Sequence, residues 1–504
     1  MNYKMKTKTK SPTNLYFIFF LLIYFVVLTY LAGRIYIWED ESYSLNTSSH
    51  NLAEVLKLSY NFEGQPPFYF VLLALWRLIN SSIFFARMLS VVFIASSAYF
   101  FERLCGLVTG KKNVRWLVVV FLLNPFTVWA ALEIRLYALV VLLSTLSVYY
   151  FLRFYIENRN KYLYILMVVS LIGLYTQYFF VFLITSFAIG LLIFKNKTIF
   201  FKFCLYCAPV ILLFLPNLIF IPDQLSMAQT HLNVNVKHIF DVIRTPQDFI
   251  MSLGSLPLSQ LSRWIIKIPF ILVFGFAFFK VMRDEAFFNS AYKKILKLIL
   301  FMLFVCMVLY IILVPSLSLI FQEKYMIITF SLFVLLFSVL NVLPKTEIFF
   351  GAISLYFICL LAVKYRYPEK TYNFKLVSDY IEKVEMKNEP VIFYGKSILP
   401  PFNYYYNGTN PLYPLPAIKY DKDYYEERIT DTSDLNKEIE SINSGNKSMI
   451  LVTESITGFK YKKFLTREMI QKSLRDHYLI SLDSTFQSRN SDNFLRVQRI
   501  EKKE

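Results

Sequence analysis

Long apolar runs alternate with short charged stretches along most of this chain. The runs fall at about 14–37, 83–104, 115–131, 136–153, 162–178, 179–194, 199–221, 264–281, 297–314, 325–343 and 347–363. Most approach the roughly 20 residues that a helix needs to cross a hydrocarbon core about 30 Å thick. The pattern predicts an all-α polytopic membrane bundle of about eleven transmembrane helices. One further run, "PPFYFVLLALWRLI" at 66–79, is short, opens on Pro66-Pro67 and carries Arg77, so it reads as a juxtamembrane helix. The stretch 162–194 is long enough for two spans and divides at "YTQY". After Val363 charged residues return and the apolar runs shorten. "KLVSDYIEKV" reads as an amphipathic helix and "PVIFYG", "SMILVTES", "HYLISLDSTFQ" and "NFLRVQRI" as strands, with a helix near 465–476. The chain therefore divides into a membrane domain, 1–365, and a small α/β domain, 366–504.

Loop charge orients the bundle. With the N-terminus inside and 66–79 not spanning, the inner loops hold Arg103, Lys111, Lys112 and Arg115; Arg153, Arg159 and Lys161; Lys195, Lys197 and Lys202; Lys280, Arg283, Lys293, Lys294 and Lys297; and Lys345. Each is basic, as cytoplasmic loops are. If 66–79 spans instead, every later basic loop moves outside. The expected protein is a multi-pass component of the cytoplasmic (inner) membrane, with a cytoplasmic N-terminus and an extracytoplasmic C-terminal domain. The basic start "MNYKMKTKTK" lacks a following small-residue cleavage site, which predicts a retained first helix.

Composition agrees: 56% of residues are hydrophobic and the mean hydropathy is +0.47. The net charge of +18 sits mostly in the basic loops. Helix orientation and contact with anionic membrane lipid account for it, and nucleic acid is not an expected partner. The five cysteines lie in or beside apolar runs; Cys204 and Cys207 form a lone CxxC inside one, which reads as helix packing rather than a metal site.

This topology brings four polar clusters to one outer face: "WEDESYSL", "ALEIRLYAL", "LYTQYF" and "FQEKYM". Asp40 and Glu41 follow the first span, where a carboxylate near hydrocarbon is costly and marks a site; Glu39 reads as a boundary residue. Glu133 and Arg135 lie in a turn between spans. Two acids over one cavity can divide the labour, one deprotonating an acceptor while the other orients it or holds a cation. Arg87 and Lys324, beside acids and distant in the chain, suit an anionic phosphate, whereas Arg77 and Arg263 read as cations snorkelling to lipid headgroups. Gln65, before the two prolines, and Gln177-Tyr178 are polar residues at helix ends on the same face.

In order, "EDESYSL", "QPPFYF", "ARMLS", "NPFTVWAALEIRLYAL", "GLYTQYF" and "FQEKYM" resemble the GT-C glycosyltransferases, in the bacterial branch related to the protein O-mannosyltransferases and the lipid A aminoarabinose transferase. The resemblance covers nearly the whole membrane region. It implies a sugar on a polyprenyl phosphate as donor, inversion at the anomeric centre, and an acceptor hydroxyl or amine on a glycan, lipid or protein. Asp40 then matches the catalytic base, with Glu41 as the alternative; Glu133 matches a second acid, and Arg135 and Tyr137 the residues that often follow it. Arg87 and Lys324-Tyr325 match donor-phosphate positions. Three positions depart from the common pattern: Gln65 and Gln177 stand where many members have His, and Lys324 where many have Arg. No resident cofactor is implied; a divalent cation is compatible with the acids, but the missing imidazoles remove the usual metal ligands. Two other classes use similar parts. A flippase or transporter of lipid-linked sugars wants charges near the bilayer midplane and broken helices. A polysaccharide polymerase or ligase wants a large outer loop with Arg and His, such as 222–263 with His231, His238 and Arg244.

Overall fold

The structure, a computed structural model, describes residues 15–110, 113–230, 260–283, 290–316, 323–424, 429, 431–442, 447–454, 465, 467–489 and 493–503, with side chains at 228–230, 260–267, 290–291, 314–316, 323–325 and 467 excepted. His231, His238, Arg244 and the side chain of Arg263 therefore lie outside it, as do the side chains of Lys324 and Tyr325.

The chain is a helical bundle followed by a small sheet domain. The bundle helices that frame the site are α1 (Leu15–Arg34), α2 (Glu39–Thr47), α3 (Leu52–Asn61), α4 (Phe68–Arg77), α5 (Ile83–Thr109), α6 (Val114–Leu123), α7 (Pro125–Ala131), α8 (Tyr137–Glu157), α9 (Asn160–Leu174), α10 (Phe180–Phe194) and α11 (Lys197–Phe214). Helices Gln260–Arg283, Ser290–Ser316 and Thr346–Lys364 complete it, with a short helical run at Glu323–Val342. Each expected apolar run is helical in the described residues. Six of these helices are long and apolar enough to cross a membrane, and α6 with α7 makes a seventh. At 15 residues each, α9 and α10 rise only about 22 Å at ~1.5 Å per residue. They meet at the expected "YTQY" turn. The juxtamembrane reading of α4 holds: its 10 residues rise about 15 Å, half a hydrocarbon core.

One expected straight span is broken. The run 115–131 bends by 61° between α6 and α7. Asn124-Pro125 is the cause: proline lacks the amide and steers the preceding residue out of the helical region. Asn124 has left the helix, and its side chain accepts from the Phe126 amide to start α7 afresh. The bend aims the residues after α7, Leu132–Leu136, back into the protein rather than out of it.

The C-terminal sheet has strand order β2-β1-β3-β5-β4, with β1 at Val391–Tyr394, β2 at Leu412–Leu415, β3 at Ser448–Glu454, β4 at Tyr478–Gln487 and β5 at Phe494–Lys502. The first three run parallel and β5 and β4 antiparallel. Alternation along β1 and β3 feeds two cores. Ile392, Tyr394, Met449 and Leu451 pack under the helices Thr432–Ile442 and Arg467–His477; Val391, Phe393, Ile450 and Val452 pack under the helix Phe374–Val384. A sheet covered on both faces explains strands that read as unbroken apolar runs. The sequence pattern missed β2, which is four residues long and contains Pro414, and the helix Thr432–Ile442.

Candidate active site

α2 opens on the three acids of "WEDESYSL". Their place in its first turn suits the unsatisfied amides and positive end of a helix whose N-cap, Trp38, supplies no side-chain cap. At the other end, Arg77 donates to the Leu45 carbonyl and to Ser48 Oγ, each at 2.6 Å. The snorkelling expected of Arg77 is thus corrected: it fastens the C-terminus of α2.

The three acids have three different surroundings. Glu41 is fully buried. Arg87 from α5 grips it through Nε and Nη2, both at 3.1 Å, and the Ile134 amide donates to it at 3.0 Å. Burial pushes its carboxyl upward, but Arg87 and then Lys370 outweigh that and hold it below the ordinary range. Glu39 accepts from the Tyr43 hydroxyl at 2.7 Å, and burial pushes its carboxyl up to about 8 despite that bond. Asp40 is partly exposed at the helix start, and its charge is felt by both Arg135 and Glu63.

Arg87 itself is fully buried, and its remaining nitrogen donates to the Ala32 and Ile35 carbonyls. Its guanidinium is thus committed to a buried carboxylate and to two carbonyls at the end of α1, and it braces α2 against α1 and α5.

The turn after α7 meets this brace. Glu133 is buried, accepts from Trp38 Nε1 at 2.8 Å, and its backbone carbonyl takes a bond from Ser90 on α5. Burial raises the Glu133 carboxyl. Arg135 does not pair with its neighbour Glu133. It reaches Glu63 at 2.7 Å, Ser44 Oγ at 2.9 Å and the Asp40 carbonyl at 3.3 Å, so it supports α2 from beneath the candidate base. Tyr137 is buried against Trp129, ring centroids 4.6 Å apart.

The "LYTQYF" turn joins through the backbone: the Phe68 amide, just after the two prolines, donates to the Tyr175 carbonyl at 3.0 Å. Gln65 is partly buried, and its backbone N–H donates to the Ser59 carbonyl at 3.0 Å. Gln177 is 7% exposed, and its Oε1 has no hydrogen-bond partner among the described residues, while the Tyr178 hydroxyl faces Gln224. The backbone of Lys324-Tyr325 lies in a 3-10 helix, Glu323–Thr329, packed against α8.

Two residues the sequence did not single out complete the cluster. Glu63, just past α3, is the partner of Arg135. Lys370, in the linker to the sheet domain, reaches Glu41 Oε2 and Glu133 Oε1, both at 2.8 Å. The two acids thus share one ammonium, that of Lys370. Among the described residues, no group of three or more His, Cys, Asp or Glu side chains is arranged to hold a metal ion. All five cysteines are free, and Cys207 contacts Met167 sulfur at 3.8 Å within the bundle.

A helical bundle, an acidic helix at one end of it, and a small sheet domain seated over that end define the fold. Two solved structures of ArnT from Cupriavidus metallidurans share it. The apo form superposes with a TM-score of 0.63 at 10% identity, covering 96% of this chain and 97% of that one. The form bound to undecaprenyl phosphate gives 0.57 at 10% identity, with 96% and 98% covered. No family model and no curated protein sequence matches the chain.

Proposed function

We propose that the protein is an integral membrane glycosyltransferase that moves a sugar from a polyprenyl-phosphate donor to an acceptor hydroxyl or amine, with inversion, at the outer face of the cytoplasmic membrane. The observation that carries this reading is the convergence of the α2 acids with the Glu133–Arg135 turn at one end of a fold shared with ArnT, one of whose structures holds undecaprenyl phosphate. Among the described residues, the buried charged side chains of the bundle are Glu41, Glu63, Arg87, Glu133 and Arg135, and all belong to this one cluster. A transport path would instead string charges through the bilayer midplane.

Asp40 is the base in this reading. An acceptor can approach its partly exposed carboxylate but not enclosed Glu41. The acceptor oxygen attacks the anomeric carbon from the face opposite the phosphate while Asp40 takes its proton. The bond from that carbon to the phosphate oxygen breaks, and its electron pair leaves with the polyprenyl phosphate. That group departs as a stabilised anion, so it calls for a cation rather than a general acid. Lys324 is the proposed cation. Gln65, Gln177, Tyr178 and Tyr325 are proposed to contact the sugar or acceptor, and Gln177 Oε1 offers a hydrogen-bond acceptor to its hydroxyls.

The test is transfer from a panel of polyprenyl-phosphate sugars by purified protein, with membrane extract as acceptor. Asp40→Asn should lower the rate by about 10²–10⁴-fold, the usual contribution of a general base, with unchanged thermal unfolding. Wild-type rates in Asp40→Asn would remove Asp40 from the mechanism.

A further inference from the structure

Lys370 sits outside every motif discussed so far, in the linker "YRYPEKTYNF" between the last bundle helix and the sheet domain. Its ammonium has three N–H donors. All three are used: on Glu41 Oε2 at 2.8 Å, on Glu133 Oε1 at 2.8 Å, and on the Leu132 carbonyl at 3.1 Å. The side chain is 15% exposed while its two acids are enclosed. The acceptors lie 329, 237 and 238 residues away in the chain, on α2 and on the turn after α7.

The linker around it is pinned to the same place. The Tyr36 amide donates to the Pro368 carbonyl at 2.9 Å, and Arg34 donates to the Arg366 carbonyl at 3.0 Å. The segment that connects the two parts of the chain is thus threaded through the acidic cluster rather than hung beside it.

We infer that Lys370 is a positioning residue of the transfer site: it clasps Glu41 and Glu133 together and so fixes α2, with Asp40, against the turn that carries Glu133. This rests on the glycosyltransferase reading above. Glu41 keeps a second cation in Arg87, whereas among the described residues Glu133 is ion-paired with Lys370. Removing Lys370 leaves Glu133 buried without its ion-pair partner, so it takes up a proton and the tie to α2 is lost. Other titratable or charged groups facing Glu133 are Glu41 from α2, Arg87 from α5, Tyr69 from α4, and Lys364 with Tyr365 at the end of the last bundle helix. None of them changes in the variants below.

The experiment uses the full chain in detergent, with Lys370→Met and the double variant Lys370→Met/Glu133→Gln. Transfer from a polyprenyl-phosphate sugar and thermal unfolding against pH are both measured. Lys370→Met should lower kcat by about 10²-fold, the loss expected when a catalytic group shifts by about 1 Å, with little change in donor KM. Its thermal stability should fall with rising pH over a window reaching higher than in wild type, because a raised carboxyl pKa confers stability at low pH that is lost as pH rises through it. Glu133→Gln in the same background should abolish that extension. Wild-type kcat in Lys370→Met, or the same pH slope in single and double variants, overturns the clasp. If the wild-type protein moves no sugar from any donor in the panel, the glycosyltransferase reading falls, while the pH slopes still decide whether Lys370 holds Glu133.

Discussion

Asp40, Glu39 and Glu41 are three adjacent acids that the fold turns into three different groups. Glu41 is half of a buried ion pair. Breaking such a pair from one side typically costs about 3–5 kcal/mol, because the other charge stays buried. Glu41→Gln should therefore destabilise the protein by about that much in chemical unfolding, and Glu41→Gln with Arg87→Met should cost less than the two single changes added. Glu39 lies among Tyr43, Asp40, Glu454 and Tyr424 with its carboxyl raised to about 8 by burial. The sign follows: a raised carboxyl pKa stabilises the fold at low pH and loses that contribution as pH climbs from about 4.5 to 8. Thermal unfolding should show that decline in wild type, and Glu39→Gln should flatten it. At this scale the sequence was informative about which stretch mattered but not about partners. Glu63 and Lys370 went unnoticed because their meaning comes from contacts 72 and 237 residues away, and a lone Lys in a polar linker looks like any solvated one. Spacing likewise does not reveal that Arg87 already grips Glu41 and two carbonyls at the end of α1.

Among the elements, the broken span and the short pair do most to build the site. Periodicity and length marked nearly all the bundle helices, because an apolar run long enough for hydrocarbon leaves few alternatives to a helix. It did not show that Asn124-Pro125 would bend one of them by 61°. The proline was visible; its effect depended on whether neighbouring helices left room for a straight continuation. The split of 162–194 into α9 and α10 was legible from length and loop charge. Its packing supplies a sharp test. A Cβ on Gly173 would stand 2.5 Å from the ring of Phe180, which is fully buried. Gly173→Ala should destabilise the protein by about 1–3 kcal/mol, as overpacking does. Adding Phe180→Leu should return part of the loss, measured by unfolding of both variants. In the sheet domain, four strands were legible from apolar runs, and the fifth was missed because four residues with a proline carry little periodic signal.

Across the whole molecule, the sheet domain is seated on the end of the bundle that holds the acids. The Ile37 amide donates to the Tyr405 hydroxyl at 2.8 Å, and the Tyr43 and Tyr424 hydroxyls meet at 2.7 Å. Tyr43, Phe62 and Tyr424 form an aromatic cluster across that junction. Our reading puts this end on the extracytoplasmic side. A single cysteine at exposed Tyr413, in a chain freed of its native cysteines, should react with a membrane-impermeant maleimide added to intact cells or spheroplasts. Protection until lysis would invert the topology. The central claim is that the acids at this end transfer sugar from a lipid-phosphate donor, and one measurement tests it most directly: the rate at which purified wild-type and Asp40→Asn protein move labelled sugar from polyprenyl phosphate to an acceptor. The account predicts transfer by the wild-type protein and a loss of about 10²–10⁴-fold in the variant. Equal rates in the two proteins, or no transfer from any donor in the panel, would contradict it.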